Sequence, residues 1–387
     1  MTVVWSFPTR VVFGEGAVTG LSEEVKRLGG SRVFLVSDKG VHDAGLLEPI
    51  EELLKEAAID FATFTEISSN PLEKELLAAA NTYHQAKSDI IVAVGGGSPL
   101  DVAKLIRVAT THPLPIAQYD DAIGGDAKIT EPMPPMIAIP TTAGTGSEVG
   151  RAGVVTIEES NKKTVIFSPR LMPEVALLDP ALTATMPSKI TAATGFDALT
   201  HCIEAYCAQG DHPMADAIAI SGIRLVVRHL ERVIRDGKDI RSRGEMMKAA
   251  MMGAVAFQKG LGACHSLAHP LSAEHDLHHG LANALCLPAV LDFNRSAVPE
   301  RIAHIAKELG VRGEDNETLC FECAGAVRAL RRKVGLPEGL GAAGVDEDAP
   351  EKLAPLAFAD ACHQLNPRTC TEEDMLSLYR SHRGAVE

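Results

Sequence analysis

Aromatic side chains are scarce: Phe, Trp and Tyr together make up 4% of the 387 residues. The core must therefore rest on Ala, Val, Leu and Ile, and it has ample material, since 46% of the chain is hydrophobic and 23% charged. Positive charge is also short. Lys and Arg number 37 against 51 Asp and Glu, a formal net charge of −14. That balance speaks against nucleic acid and anionic membrane surfaces as partners. No apolar run approaches the roughly 18 residues of a membrane helix, and the first residues, MTVVWSFPTRVVFG, lack the basic stretch and long apolar run of a secretory signal. Eight cysteines in a chain of this length do not make a disulfide framework. Cys320 and Cys323 have redox or metal spacing but no second such pair, and read as cysteines on a helix face. The expectation is a protein of the reducing cytoplasm with a small-molecule partner.

The chain is long enough for two domains. Up to about residue 180, short apolar runs alternate with helical segments: strands at 32–37, 59–64, 89–97 and 136–142, helices at 46–58, 72–86 and 98–110. This rhythm predicts an α/β domain with a parallel, Rossmann-like sheet covered on both faces. Beyond Asp179-Pro180 the segments lengthen and take helical period, over 188–206, 214–236 and 241–259. The expected division is an α/β domain over 1–182 that binds a dinucleotide and an all-α domain over 183–387 that binds a metal.

Two glycine-bearing loops follow buried strands. In VAVGGGSPLDVAK, Gly95, Gly96 and Gly97 let backbone approach a phosphate, and Ser98 opens a helix whose free N–H groups favour an anion; Ser98 is expected both to cap that helix and to donate to phosphate. In PTTAGTGSEV, Thr141, Thr142, Thr145 and Ser147 offer hydroxyl donors. Either loop alone could be an ordinary polar turn; two on one sheet edge suggest a long polyphosphate ligand. Asp38 ends the strand VFLVSD, where it either forms a turn or bonds a ribose diol, the latter favouring NAD over NADP. The N-terminal Gly14, Gly16 and Gly20 have the wrong spacing for a dinucleotide fingerprint and are read as hairpin and turn glycines.

Five of the fourteen histidines lie within fifteen residues: His265, His269, His275, His278 and His279. Upstream, Asp197 and His201 stand four apart, so on a helix they share a face. The histidine run alone could be a surface patch or a set of satisfied core histidines. One carboxylate with several imidazoles is also a donor set suited to Fe(II) or Zn(II).

Taken together, FPTRVVFGEGA, GGGSPLDVAK, PTTAGTGSEV, Asp197-x3-His201 and the H-x3-H-x9-H of HSLAHPLSAEHDLHHG resemble the iron-containing (group III) alcohol dehydrogenases, relatives of the dehydroquinate synthase-like fold, over essentially the whole chain. The resemblance implies an NAD-dependent enzyme that interconverts an alcohol and its aldehyde or ketone by hydride transfer, and a homodimer. It implies Asp197, His201, His265 and His279 as ligands of Fe2+ or Zn2+, and His269 as the proton relay. It implies Asp38, Asn70, Gly97, Ser98, Thr141, Thr142 and Lys163 as the dinucleotide lining, beside Gly96 and Thr145 of the two loops. The chain departs from the family's G-A-x4-P-H-G in carrying Ser272 for the glycine and His278 for the proline. Gly150, Ala152 and Ala256 are small where lactaldehyde-reductase-like members carry bulk, which predicts a roomy substrate pocket; Arg151 either recognises a carboxylate or turns into a surface ion pair. Open alternatives are a glycerol-dehydrogenase-like or dehydroquinate-synthase-like enzyme on the same scaffold, and a non-catalytic metal-binding protein.

Overall fold

A computed structural model describes residues 7, 9–160 and 162–381. The described chain forms two compact units, one of Phe7–Thr142 with Gly146–Thr185, the other of Ala143–Thr145 with the residues from Met186 onward.

The first unit is α/β. Its elements are β1 (Arg10–Phe13), α1 (Leu21–Arg27), β2 (Arg32–Val36), α2 (Lys39–Asp43), α3 (Glu48–Glu56), β3 (Asp60–Phe64), α4 (Glu73–Ala86), β4 (Ile90–Gly95), α5 (Gly97–Ala109), β5 (Met136–Pro140), β6 (Ala152–Ile157), β7 (Lys162–Phe167) and β8 (Val175–Leu178). Six strands pair in the order β1-β8-β5-β4-β2-β3, every pair parallel. Strands β4, β5 and β8 throughout, and β2 from Val33 to Val36, are apolar because both faces are covered. Phe34, Val36, Ile91 and Ala93 pack with Leu76 of α4 and Leu105 of α5. The intervening Val33, Leu35, Val92 and Val94 pack with Leu21 of α1 and Ile50 of α3 on the other face. The period of two thus divides one continuous hydrophobic run between two cores.

Two features depart from the sequence reading. Gly14 and Gly16 do not close a hairpin, because β1 pairs in parallel with the distant β8, Arg10 opposite Val175. Helix-strand alternation also hid an antiparallel pair, β6 with β7, that stands outside the main sheet; its polar KKTVIF strand lacks the apolar run of a central strand.

The second unit contains only helices: α6 (Ser188–Cys207), α7 (Pro213–Arg235), α8 (Ile240–Ala256), α9 (Ala263–His275), α10 (His279–Asn294), α11 (Pro299–Glu308), α12 (Asn316–Lys333), α13 (Ala349–Ala359) and α14 (Glu372–Ser381). Helix α6 is the axis, packed against α7, α8 and α10. It is buried without a break from Thr191 to Ala205, and its many Ala, Gly and Thr residues let neighbours come close on all sides. Pro288 within α10 cannot donate to the carbonyl of Ala284, and Arg331 of α12 supplies that bond at 3.1 Å. Cys320 and Cys323 lie buried on α12, and all eight cysteines are free. No helix among the described residues is long and apolar enough to cross a membrane.

Candidate metal centre and cofactor loops

A helix as buried as α6 should carry no charge, yet Asp197 and Glu204 are 2% and 4% exposed. An unpartnered ionised group at that depth costs several kcal/mol, so the surroundings must answer it. Asp197 and His201 stand one turn apart on α6, and Nε2 of His201 is 3.9 Å from Oδ1 of Asp197. His265 and His269 stand one turn apart on α9, and His279 opens α10. The rings of His201 and His265 stack with centroids 4.8 Å apart, and His265 also meets His279 at 5.3 Å. One ligand atom from each of Asp197, His265 and His279 falls within 4.8 Å of the others. Nε2 of His279 is 3.6 Å from Asp197 Oδ1.

Glycine permits this convergence. A Cβ on Gly280 would stand 2.1 Å from the carbonyl oxygen of Ala193, so only glycine lets the start of α10 lie against α6. The adjacent histidines part company here. His278 is the N-cap of α10 and its Nδ1 accepts from the N–H of Gly280 at 3.2 Å, while the ring of His279 faces Asp197 and His265.

Burial holds the His201 pKa down to about 4, so the ring is neutral near pH 7. Its Nδ1 is buried without a hydrogen bond. Burial alone would lower the His265 pKa as well, but the Glu204 carboxylate against its Nδ1 outweighs it and the net direction is upward. Imidazole nitrogens gathered beside a buried carboxylate are a donor set that fits a divalent transition metal.

Three side chains that sequence reasoning missed surround these histidines. Glu204, seven residues after Asp197, accepts from His265 Nδ1 and from the N–H of Cys264 at 2.7 Å. Asn283, one turn after His279, donates to Asp197 Oδ1 at 2.9 Å and lies within 3.4 Å of Nε2 of both His265 and His279. Helical spacing from the recognised residues could have found both. Asp360 accepts from Nδ1 of His269 at 2.8 Å, from Ser266 Oγ at 2.7 Å and from the N–H of Cys362 at 2.9 Å. Burial opposes the Asp360 charge, yet these bonds outweigh it and hold its carboxyl well below the usual range. Ninety-one residues separate it from His269, and nothing local marks it. Cys362 also approaches His269 and Asp360, and burial raises its thiol pKa far above the ordinary value.

Phe257, in the short turn after α8, sets its ring 5.1 Å from His201. Ala256 is fully buried. The expectation that Ala256 opens a pocket is therefore corrected: the helix turns Ala256 into the core, and the aromatic neighbour of the centre is the next residue.

In the α/β unit, β2 leads outward to β3 while β4 leads the other way to β5, so the order reverses between β2 and β4. Ligands of open parallel sheets bind beyond the strand ends at such a point. Asp38 lies just beyond β2, and Gly95, Gly96 and Gly97 carry the chain from the end of β4 into α5. Gly95 has φ +146°, and a Cβ there would stand 3.3 Å from Asp38 Oδ2. Oδ1 of Asp38 caps α2 through the N–H of Val41 at 2.9 Å. Helix α5 has Gly96 as N-cap and no side-chain cap, which leaves its first N–H groups free for an anion. Ser98 therefore does not cap it; its hydroxyl donates to the carbonyl of Ser69 at 2.8 Å and ties the loop bearing Asn70 to the helix start. The N–H of Thr141 bonds Gly95 O at 2.9 Å, and Thr142 packs on Gly96. Buried Lys104 binds Ser147 Oγ at 2.6 Å and Ala152 O at 2.8 Å, fastening the threonine-rich loop to α5. Burial lowers the Lys163 pKa, partly restored by Asp101 of α5. Thr145 groups with the helical unit. Arg151 forms no ion pair among the described residues and lies over the Phe167 ring, 5.3 Å from its centroid.

Residues 8–180 match the iron-containing alcohol dehydrogenase model and residues 191–383 the C-terminal model of the Fe-containing alcohol dehydrogenase family. The chain belongs to the iron-containing alcohol dehydrogenases. It is 41% identical to a 4-hydroxybutyrate dehydrogenase of Cupriavidus necator, covering 95% of this chain and 96% of that one. It is 35% identical to an NAD-dependent methanol dehydrogenase of Bacillus methanolicus, covering 97% and 98%. A crystal structure of 1,3-propanediol oxidoreductase superposes with a TM-score of 0.95 at 36% identity, covering 99% of this chain and all of the other. As a member of that family, this chain is an oxidoreductase.

Proposed function

We propose that this protein oxidises a primary alcohol to its aldehyde with NAD, and runs the reverse reduction, at a divalent metal held by Asp197, His201, His265 and His279. The observation that carries the reading is the approach of Asp197, His265 and His279 to within 4.8 Å, with His201 stacked on His265, around the buried helix α6. When bound, Fe2+ or Zn2+ supplies Lewis acidity to the substrate oxygen. NAD supplies the hydride acceptor. The chain supplies the rest. Asp38, Asn70, Gly96, Gly97, Ser98, Thr141, Thr142, Thr145 and Lys163 bind the dinucleotide, with the uncapped start of α5 receiving its pyrophosphate. His269 takes the hydroxyl proton on Nε2, because Asp360 engages its Nδ1. Phe257 walls the alcohol beside His201. We assign the α/β unit to the cofactor and the helical unit to the metal, and place the enzyme in the cytoplasm as a homodimer; the free cysteines support the compartment.

The test is metal-reconstituted protein with NAD and a series of primary alcohols, followed by NADH absorbance. Turnover that chelation abolishes and Fe2+ or Zn2+ restores is expected. Full turnover in thoroughly chelated protein would overturn the reading.

A further inference from the structure

Glu204 is buried on α6, three residues after His201 and seven after Asp197. Its two oxygens serve two groups of α9. Oε1 accepts from the N–H of Cys264 at 2.7 Å, and Oε2 from Nδ1 of His265. The other nitrogen of His265, Nε2, lies among the ligand atoms, 3.4 Å from Asn283 Nδ2, which itself bonds Asp197. A carboxylate only accepts, so the neutral His265 ring carries its proton on Nδ1 and turns the Nε2 lone pair toward the ligand atoms. We propose that Glu204 is a positioning residue for the metal: by fixing the tautomer and ring orientation of His265, it makes that histidine a ligand. Metal-bound histidines commonly rely on such an outer carboxylate. The proposal rests on the four-ligand reading above.

A plainer role for Glu204 would be to hold the first turn of α9. Asn366 does that at the neighbouring residue, its Oδ1 accepting from the N–H of Ala263 at 3.2 Å, without touching His265. The two roles separate in Glu204→Gln. The amide keeps the shape and can still accept from Cys264, but it then presents N–H donors to His265 Nδ1. That moves the ring proton to Nε2, the nitrogen a metal needs.

The experiment titrates metal-stripped protein with Co2+ against a competing chelator, with the visible Co2+ spectrum and the melting temperature of the metal-free protein read in parallel. Glu204→Gln should bind Co2+ about ten- to a hundredfold more weakly than wild type, with altered Co2+ bands and little change in metal-free melting. Asn366→Ala should keep wild-type Co2+ affinity, whatever its melting temperature. Binding by Glu204→Gln within twofold of wild type, with the same spectrum, overturns the proposal. So does an equal loss of affinity in Asn366→Ala, which would make the effect one of helix anchoring. A wild type that takes up no Co2+ removes the ligand assignment itself, and the proposal falls with it.

Discussion

His269 Nδ1 lies 2.8 Å from Oδ2 of Asp360, while the His269 ring stacks on His279 with centroids 5.3 Å apart. The same carboxylate is pinned by Ser266 and the N–H of Cys362, so one side of His269, the proposed proton relay, is fixed and only Nε2 is left to exchange a proton. Asp360→Asn keeps the shape and removes the charge that stabilises the protonated ring. We expect kcat to fall on the order of 10- to 100-fold, within the range that general acid–base groups contribute, with metal content unchanged. Unchanged kcat across the pH range would remove His269 from the proton path.

The two adjacent histidines give a sharp comparison. His279→Ala and His265→Ala should lose stoichiometric metal by elemental analysis. His278→Ala removes only an N-cap interaction, costing about 1 kcal/mol, and should retain the metal at a slightly lower melting temperature. Metal loss in His278→Ala alone would reverse the assignment.

Phe257 should limit substrate length. Replacing it with Ala opens space beside His201, and each additional buried methylene is worth about 0.8 kcal/mol, roughly fourfold in binding. The ratio of kcat/KM for hexanol over ethanol should therefore rise by at least tenfold in Phe257→Ala, whereas Ala256→Val should chiefly destabilise the fold. No change in the ratio would move the substrate away from this ring.

Cofactor preference should follow Asp38. A 2′-phosphate beside its carboxylate meets repulsion and loses a ribose hydrogen bond, a penalty on the order of 1–3 kcal/mol. Asp38→Gly should narrow the NAD over NADP preference, and costs α2 little because glycine is tolerated at an N-cap. A wild type that uses NADP equally well would show that Asp38 serves only as the cap.

Glu148 predicts how stability varies with pH. It is fully buried, and burial raises its pKa to about 7, with Lys104 opposing. A carboxyl whose folded pKa exceeds its unfolded value favours the native state below about 4.5 and loses that contribution as pH climbs through about 7. Glu148→Gln removes the titration. Lys104 keeps Ser147 and Asp101 as partners. The melting temperature of the variant relative to wild type should therefore increase from pH 5 to pH 9, a gain of up to about 3 kcal/mol by the size of the shift. A difference that stays flat over that range would show that Glu148 is not titrating.

Much of this molecule was legible before any coordinates. Strands β2 to β5 and helices α3 to α8 follow from apolar periodicity, because burial on both faces or on one helical stripe writes itself into neighbouring residues. Asp197 with His201, and His265 with His269, were readable for the same reason, each pair being one helical turn apart. The pairing of β1 with β8 was not, since parallel neighbours are joined through space and share no local pattern. Tertiary structure alone turned the ring of His279, and not that of His278, toward Asp197 and His265, by starting α10 between them and passing Gly280 against Ala193. It also brought Asp360 to His269 and Glu204 to His265, and turned Phe257 rather than Ala256 toward the centre. Those contacts depend on how helices cross. Period and composition tell which face of a helix is buried, but not which side chain of a distant helix that face will meet.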